Sequence, residues 1–381
     1  MRKWMACALA LALLLCPARV KAGTEGTARA AMVMEQSTGR VLYAANADEQ
    51  LPMASTTKIM TALCVLENAA LTDTVTIDAR MSGIEGSSMY LEVGETLTVE
   101  QLLYGLMLRS GNDAAVALAL HVSGSVENFA ALMNQKAEEL GLAHTHFVNP
   151  HGLPAKDHYT TARELAAITC AAYENADFRR IVSTQYIAVP WEGHPYDRAM
   201  KNKNKMLTLC KGGNGVKTGY TKAAGRCLVS GAQRQGMQLI CVVLNAPDMW
   251  NDSLRLLDEG FENYGMVTVL DSLEPAAHLP CAFSDQTVPV LPMWDAEAPL
   301  AQGETAEVML ELPEKLTTDV ARGQVLGYAI IGIEKGKSVR VPLVAGETVQ
   351  MPQRRSWSQA LRRVLELWFP IEMEQEGQGT A

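Results

Sequence analysis

The 381-residue sequence has no excess of positive charge. Its 33 lysines and arginines are outnumbered by 42 aspartates and glutamates, which gives a formal net charge of −9. Because nucleic acids are bound through positive surface patches, this balance disfavours a nucleic-acid partner. Hydrophobic residues make up 48% and charged residues 20% of the chain, so the composition of a disordered protein is also absent. The length is sufficient for two ordinary domains.

A hydrophobic run long enough to be a typical membrane span is missing near the N-terminus. The apolar stretch from Met5 to Cys16 follows two basic residues and is short for a span. Small or aliphatic residues follow at the two positions that a signal peptidase reads, Val20 and Ala22. We predict a secretory signal peptide over residues 1–22, with a retained membrane anchor as the alternative.

The sequence also lacks the ligand spacing of a zinc site. Histidines are concentrated in one segment, at His144, His146, His151 and His158. Their spacing matches no zinc motif, so we expect no metal.

Cysteines are few for a secreted protein. Eight are present, and two of them fall within the predicted signal peptide. The even number that remains permits disulfides. Cys64, Cys170 and Cys241, however, lie in apolar runs typical of small buried side chains. We expect free thiols, with Cys210 and Cys227 as the pair best able to form a disulfide.

Strand patterns at both ends of residues 23–268 enclose a helical middle. Residues 29–45 form a predicted hairpin, and strands are predicted at 216–219, 226–231 and 238–244. Between them, amphipathic helices are predicted from Ser55 onward, at 99–108, 112–122, 127–140 and 161–173, and a closing helix at 253–264. This order favours an α+β domain whose largely antiparallel sheet is flanked by helices.

The composition changes after this domain. Residues 269–350 alternate in short runs rich in valine, proline and glycine, which predicts a small all-β domain. Residues 351–371 place Trp357, Leu361 and Trp368 on one helical face beside four arginines, the pattern of an amphipathic membrane anchor. The alternative is a helix packed on the β domain. Residues 372–381 form an acidic tail.

Three short motifs carry the chemistry. They are Ser55-Thr56-Thr57-Lys58, Ser110-Gly111-Asn112 and Lys217-Thr218-Gly219. A serine must lose its proton as it attacks a carbonyl, and Lys58 lies one helical turn from Ser55. A lysine that accepts this proton must be neutral near pH 7, which burial and nearby positive charge such as Lys217 favour. The alternative is an ordinary helix start, with Ser55 as N-cap and Lys58 solvated.

The second and third motifs would surround this pair. The Ser110 hydroxyl can relay a proton to a leaving amine, and the Asn112 amide can hold a substrate carbonyl or Lys58. The same residues could instead mark a helix terminus.

On the strand of the third motif, Lys217 and Thr218 can bind a carboxylate, and Gly219 lets an extended peptide approach the strand edge. The backbone N–H groups of Tyr220 and Ser55 would then form an oxyanion hole.

The segments around these motifs resemble the serine D-alanyl-D-alanine carboxypeptidases, the low-molecular-mass penicillin-binding proteins of peptidase family S11. The similar segments are residues 52–61, 108–114, 145–153 and 215–221. The order of signal peptide, catalytic domain, β domain and terminal helix is also similar. The resemblance implies a β-lactamase/transpeptidase-like fold for residues 23–268.

The resemblance further implies that Ser55 attacks the penultimate D-alanine carbonyl of a peptidoglycan stem peptide and releases the terminal D-alanine. Lys58 maps to the base, Ser110 and Asn112 to the second motif, and Lys217 to the third. Such enzymes use no cofactor, are acylated by β-lactams and act on the outer face of the cytoplasmic membrane, where they regulate cross-linking. Lys203 is our candidate for an additional carboxylate contact.

Three alternatives stay open. A class A β-lactamase shares the first and third motifs, but typically has aspartate where this chain has Gly111. An endopeptidase of the same fold would cut cross-links. A catalytically silent wall-associated protein would have no need of Ser55 or Lys58.

Overall fold

The computed structural model describes residues 26–282, 285–334 and 336–350, together with Leu361, Val364 and Leu365. The predicted signal peptide, the acidic tail and nearly all of the predicted anchor helix lie outside the described residues. The three described residues of that last segment are helical and about half exposed.

The first part of the chain alternates strands and helices. Its helices are α1 (Lys58–Asn68), α2 (Val99–Tyr104), α3 (Asn112–Ser123), α4 (Val126–Glu139), α5 (Ala162–Glu174), α6 (Ala176–Ser183), α7 (Met206–Leu209) and α8 (Met249–Asn263). Its strands are β1 (Ala30–Glu35), β2 (Val41–Ala45), β3 (Thr74–Thr76), β4 (Thr96–Thr98), β5 (Tyr186–Val189), β6 (Arg198–Lys201), β7 (Gly213–Thr221), β8 (Gly225–Arg234) and β9 (Met237–Leu244). A 3₁₀ turn, Ala54–Thr57, precedes α1, and a π-helical turn, Gly105–Arg109, continues α2.

Five of these strands form an antiparallel sheet in the order β2-β1-β9-β8-β7. The hairpin predicted from the N-terminal pattern is confirmed as β1 and β2, and it pairs with the distant strand β9. Strand β7, which carries the third motif, lies at the edge of this sheet, so one side of its backbone is open to a further strand.

Both faces of the sheet are buried, which explains the continuous apolar runs in its strands. Along β1, Ala30, Met32 and Met34 face the core shared with helices α1 to α6, whereas Ala31 and Val33 face α8. This alternation follows from the two-residue period of a strand. The sheet is therefore a layer between two groups of helices, as expected for the α+β class.

Helix α1 lies in the middle of the larger core. Every residue from Lys58 to Val65 is buried, including the lysine. Because a helix surrounded by protein has no solvated face, a side chain at its first turn can be removed from water entirely.

The second part of the chain is all β. Its strands are β10 (Tyr264–Leu270), β11 (Ala277–Pro280), β12 (Thr287–Pro292), β13 (Ala296–Ala301), β14 (Glu307–Glu311), β15 (Val325–Gly332) and β16 (Val339–Ala345). Strands β10 and β13 form one ribbon, and the other five form an antiparallel sheet in the order β11-β12-β16-β15-β14. They enclose a separate apolar core, which includes Val288, Val290, Ile331 and Leu343. The predicted boundary at 268/269 falls inside β10.

Several element bounds differ from the sequence expectations. Helix α8 begins at Met249 rather than at residue 253. Strand β7 runs from Gly213 to Thr221, three residues earlier and two residues later than the predicted strand at 216–219. The short elements α6, β5 and β6 were not predicted, because four to eight residues give too little periodicity to separate a helix or strand from a loop.

Two further features of the described residues can be compared with the sequence analysis, the state of the cysteines and the presence of membrane-spanning helices. The six cysteines of the described ranges are all buried and unpaired, as predicted for Cys64, Cys170 and Cys241. Among the helices described, none has by itself the length and apolar composition to cross a membrane; only α3 and α4 taken together, bent by 82° at their break, meet that criterion.

A buried ion pair joins the β5–β6 hairpin to the segment that precedes β4. Arg198 and Glu95 are 4% and 7% exposed, and Arg198 Nη2 donates to both carboxylate oxygens at 2.9 Å. The guanidinium also lies over the Trp191 ring, 4.4 Å from its centroid. The pair thus links two segments that are about 100 residues apart in the sequence.

We expect Glu95→Ala to lower the free energy of unfolding by about 3–5 kcal/mol, because it leaves the Arg198 charge buried without its carboxylate partner. Chemical denaturation measures the change. The matched control is Glu311→Ala, which removes the partner of Arg340 in an ion pair whose two side chains are about half exposed; it should leave stability nearly unchanged. Equal losses in the two variants would contradict this role for the buried pair.

Candidate active site

Ser55 lies in the tight turn that leads into α1. The residue before it, Ala54, has a left-handed backbone with φ of +49°, so the chain reverses sharply and presents Ser55 at the surface of the core. Lys58 is the first residue of α1, three positions on, and its amine lies 3.1 Å from the Ser55 hydroxyl oxygen. The spacing of the first motif therefore places both groups on one side of the turn.

The Lys58 amine has two further oxygen neighbours. Its Nζ donates to Asn112 Oδ1 at 2.7 Å and to the His151 carbonyl at 2.6 Å. Both are acceptors in this geometry, so each takes one N–H. A neutral amine has two N–H bonds and one lone pair. In that neutral form, the two hydrogens would go to Asn112 and His151, and the lone pair would be left for the Ser55 hydroxyl.

The surroundings of Lys58 favour that neutral form. The side chain is fully buried. Burial, followed by the positive charges of Lys217 and Lys203, holds the pKa of Lys58 well below its usual range, while Asp113 acts weakly in the opposite direction. The amine is thus suited to accept the proton of Ser55.

Asn112 is itself fixed by the segment before β4. Its Nδ2 donates to the Glu85 carbonyl at 2.6 Å, and its backbone N–H donates to the Ser87 carbonyl at 2.7 Å. Because the amide nitrogen is committed to Glu85, the amide oxygen must face Lys58. The orientation of Asn112 thus follows from its hydrogen bonds.

Ser110 lies between the π-helical turn and α3, with a left-handed backbone at φ of +64°. The residue is 4% exposed. Within the described ranges its hydroxyl has no hydrogen-bond partner. The structure therefore places Ser110 beside Asn112, as the motif requires, with a hydroxyl that is available to a ligand.

The third motif lies on the edge strand β7, directly against the Ser55 turn. A Cβ added to Gly219 would come within 3.1 Å of the Ser55 backbone nitrogen, so a side chain here would crowd the turn and glycine favours the close approach of turn and strand. Lys217 is buried and Thr218 half-buried, whereas Tyr220 is 65% exposed.

Two lysines form the positive part of the site. Lys217 Nζ donates to the Thr218 carbonyl at 2.9 Å; burial, followed by the charge of Lys203, lowers the pKa of Lys217 to about 7. Lys203 is exposed and donates to Ser87 Oγ at 3.1 Å. Partial desolvation, followed by the charge of Arg109, lowers the pKa of Lys203 as well. Lys203, predicted from the sequence as an additional carboxylate contact, thus lies near both other lysines.

Four contributors were not predicted. The His151 and Glu85 carbonyls hold Lys58 and Asn112, and Thr57 and His158 bond to each other behind the turn, with Oγ1 and Nε2 at 2.9 Å. Main-chain carbonyls carry no residue signature, so the sequence could not have revealed the first two. The position of Thr57 inside the first motif was a usable signal.

The histidine-rich segment serves other contacts. His158 bonds to Thr57, His146 Nδ1 lies 2.6 Å from the Asp157 carbonyl, and the His151 carbonyl accepts from Lys58. Among the residues that the structure describes, no group of three or more His, Cys, Asp and Glu side chains is arranged to hold a metal ion.

Comparisons with known proteins agree with this arrangement. Residues 18–248 match the model of the peptidase S11 family, described as D-alanyl-D-alanine carboxypeptidase. The chain is 35% identical over 344 residues to the D-alanyl-D-alanine carboxypeptidase DacC of Escherichia coli, which covers 85% of this chain and 84% of that protein. The similarity to DacF of Bacillus subtilis, another D-alanyl-D-alanine carboxypeptidase, is 37% over 245 residues, so the match spans 63% of that relative's length.

Solved structures give the same result for the fold. A crystal structure of penicillin binding protein 5 from Haemophilus influenzae aligns with a TM-score of 0.69 and 29% sequence identity, over 86% of this chain and 98% of that one. The carboxypeptidase DacD from Francisella tularensis aligns with a TM-score of 0.64 and 26% identity, over 87% and 95%. Both alignments extend beyond the catalytic part into the β-rich part of the chain.

Proposed function

This chain belongs to the peptidase S11 family of D-alanyl-D-alanine carboxypeptidases, which are serine-type hydrolases, and on that premise we propose that its reaction proceeds through an acyl-enzyme on Ser55. The proposed substrate is a peptidoglycan stem pentapeptide that ends in D-Ala-D-Ala. Removal of its terminal residue would limit later cross-linking. One observation carries the proposal: the buried Lys58 amine lies 3.1 Å from the Ser55 hydroxyl oxygen, and its other two hydrogen-bond partners are the neutral oxygens of Asn112 and His151.

Substrate binding would begin with the terminal carboxylate. Lys217 and Lys203 supply positive charge, and Thr218 supplies a hydroxyl, beside the edge of β7. The peptide backbone would add to that edge as a further strand, opposite β8. The close approach of Gly219 to the Ser55 turn brings the scissile carbonyl and the nucleophile together.

In the first chemical step, Ser55 Oγ bonds to the carbonyl carbon while its proton passes to Lys58 Nζ. The oxygen that becomes negative would be held by the backbone N–H groups of Ser55 and Tyr220. The carbon–nitrogen bond then breaks, and the leaving D-alanine amine takes a proton, for which the unpartnered Ser110 hydroxyl offers a path from Lys58. A water molecule then reacts with the acyl-enzyme through the same steps, and Ser55 is restored.

The location of the protein is also a proposal. A peptidoglycan substrate requires action outside the cytoplasmic membrane, and a secretory signal over residues 1–22 would deliver the chain there. Residues 351–371 would hold the protein at the outer face of the cytoplasmic membrane, with the described β-rich part between the site and the membrane. β-Lactams, which imitate the substrate carbonyl, would acylate Ser55 and so inhibit the enzyme.

We expect one molecule of penicillin to bind covalently to the secreted protein and not to Ser55→Ala, because only Ser55 Oγ can form the ester. Intact mass measures the adduct, and D-alanine release from a peptide ending in D-Ala-D-Ala measures the activity. Rapid penicillin turnover without peptide cleavage would indicate a β-lactamase instead. The absence of both the penicillin adduct and D-alanine release would indicate a silent protein and overturn the proposal.

Lys203→Gln should move the pH profile of acylation to higher pH. The rate rises as Lys58 loses its proton and falls as Lys217 loses the charge that binds the carboxylate. Removing the Lys203 charge raises the pKa of both lysines, so both limbs shift upward. The second-order rate of penicillin acylation between about pH 5 and 10 measures the shift.

The control for this experiment is Lys222→Gln, because Lys222 is an exposed lysine on the turn between β7 and β8. It should leave both limbs in place. A lower overall rate in Lys203→Gln with unmoved limbs would mean that Lys203 only binds the carboxylate, and a shift to lower pH would contradict the electrostatic role.

The mature chain, from residue 23 to 381, should co-sediment with lipid vesicles, and the chain ending at residue 350 should stay in solution. The amphipathic pattern of residues 351–371 supplies apolar area and four arginines, so binding should be stronger to vesicles that contain anionic lipid and weaken with salt. Equal sedimentation of the two chains would contradict the anchor. Enzymatic activity on a soluble peptide should be the same in both.

A further inference from the structure

Behind the nucleophile, a chain of hydrogen bonds runs from the core to the peptide unit that contains the Ser55 nitrogen. The Val148 backbone N–H donates to His158 Nδ1 at 3.0 Å, and His158 Nε2 lies 2.9 Å from Thr57 Oγ1. Thr57 Oγ1 in turn donates to the Ala54 carbonyl at 2.8 Å. All three bonds are within ordinary hydrogen-bond length.

The direction of each bond follows from the first one. Because His158 Nδ1 accepts from a backbone N–H, the ring proton must be on Nε2, and Nε2 donates to Thr57 Oγ1. Thr57 then uses its own proton for the Ala54 carbonyl. His158 is 6% exposed, and burial lowers its pKa to about 4, so the ring is neutral and keeps this tautomer at neutral pH.

The carbonyl at the end of the chain belongs to the same peptide unit as the Ser55 N–H. A peptide unit is planar, so fixing the direction of its carbonyl oxygen fixes the N–H on the opposite side. A hydrogen bond to the oxygen also polarises the unit and strengthens the N–H as a donor. The Ser55 N–H is one of the two donors that the proposed function assigns to the oxyanion hole.

The local backbone needs this support. Ala54 adopts a left-handed conformation, which is unfavourable for a residue with a Cβ. A second constraint comes from Gly152, whose added Cβ would come within 1.9 Å of the Ala54 carbonyl oxygen and 2.9 Å of Thr57 Oγ1. Thus Gly152 and Thr57 both contact the one oxygen that determines the orientation of the Ser55 N–H.

We propose that Thr57 and His158 are positioning residues that orient the Ser55 backbone N–H toward the developing oxyanion. The inference rests on the proposed acyl transfer at Ser55. It adds a function for the third residue of the first motif and for a histidine that is about 100 residues away. Neither side chain touches the reacting atoms; they act on the transition state through the Ala54–Ser55 peptide.

The test compares two substrates in one set of variants. The first is a peptide ending in D-Ala-D-Ala, and the second is the same peptide with sulfur in place of the scissile carbonyl oxygen. Sulfur accepts hydrogen bonds weakly, so an intact oxyanion hole favours the oxygen substrate more than a misaligned one does. The kcat/KM of the oxygen substrate is divided by that of the sulfur substrate. This ratio, relative to that of the native protein, measures the alignment and is insensitive to a lower amount of folded enzyme.

Thr57→Val keeps the shape of the side chain and removes the hydroxyl. We expect kcat/KM for the oxygen substrate to fall about 10- to 100-fold, part of the roughly 10²- to 10³-fold loss typical when an oxyanion donor is removed. The sulfur substrate should change little, so the ratio falls. Thr57→Ser should restore both values. If Thr57→Val does not fold, Thr57→Cys serves instead, because a thiol is only a weak donor.

Thr56→Val is the matched control. Thr56 is equally buried, and its hydroxyl donates to the Met53 carbonyl at 2.6 Å, but that carbonyl belongs to the peptide unit of the Ala54 N–H. It should lower the melting temperature to a similar extent as Thr57→Val and leave the substrate ratio unchanged. His158→Phe, which removes both ring nitrogens, should lower the ratio as Thr57→Val does.

An unchanged ratio in folded Thr57→Val would overturn the inference. So would an equal fall of the ratio in Thr56→Val, because the effect would then be a general loosening of the turn. A native protein that neither releases D-alanine nor forms a penicillin adduct would refute the proposed function itself, and that result is read from the native protein alone.

Discussion

The catalytic arrangement depends on keeping one amine neutral inside the protein. Lys58 is fully buried, and among the described residues no carboxylate accepts a hydrogen bond from its amine. Neutral oxygens from three parts of the chain surround it instead, so the amine is hydrogen-bonded without a negative counter-charge that would favour its cationic form. The position of α1 in the middle of the core, the approach of the His151 segment and the fixed amide of Asn112 all serve this single requirement.

The positive charges around Lys58 have two roles that support each other. Lys217 and Lys203 lower the pKa of Lys58, and they also provide the charge that a substrate carboxylate would meet. When the carboxylate is in place, it offsets part of that charge, and the pKa of Lys58 should rise. The amine would then become a stronger base only with substrate bound. Without substrate, burial and the two neighbouring lysines hold the pKa of Lys58 well below its usual range.

Side-chain patterns in the sequence predicted the catalytic residues better than they predicted the main-chain groups that hold those residues in place. The Ser55–Lys58 spacing, the antiparallel sheet with helices on its faces and the separate β-rich part could all be predicted, because each follows from a repeating pattern or from a motif with a defined chemistry. The Glu85 and His151 carbonyls could not, since every residue has a carbonyl and only the folded chain selects which ones face inward. The boundary near residue 268 failed to separate the two parts cleanly for a related reason: β10 is a strand whose partner, β13, is about 30 residues away.

The same limit explains why the sequence analysis assigned no catalytic role to Thr57 or His158. Each is an ordinary residue, and neither reaches the reacting atoms. Their proposed importance comes from the peptide unit between Ala54 and Ser55. Ala54 has a left-handed backbone, and the N–H of this peptide unit would face the place where negative charge develops. A site whose donors are backbone groups must control the direction of peptide planes, and only neighbouring side chains and carbonyl contacts can do that. The third position of a Ser-x-x-Lys motif is therefore a place where a hydroxyl has a physical purpose beyond helix capping.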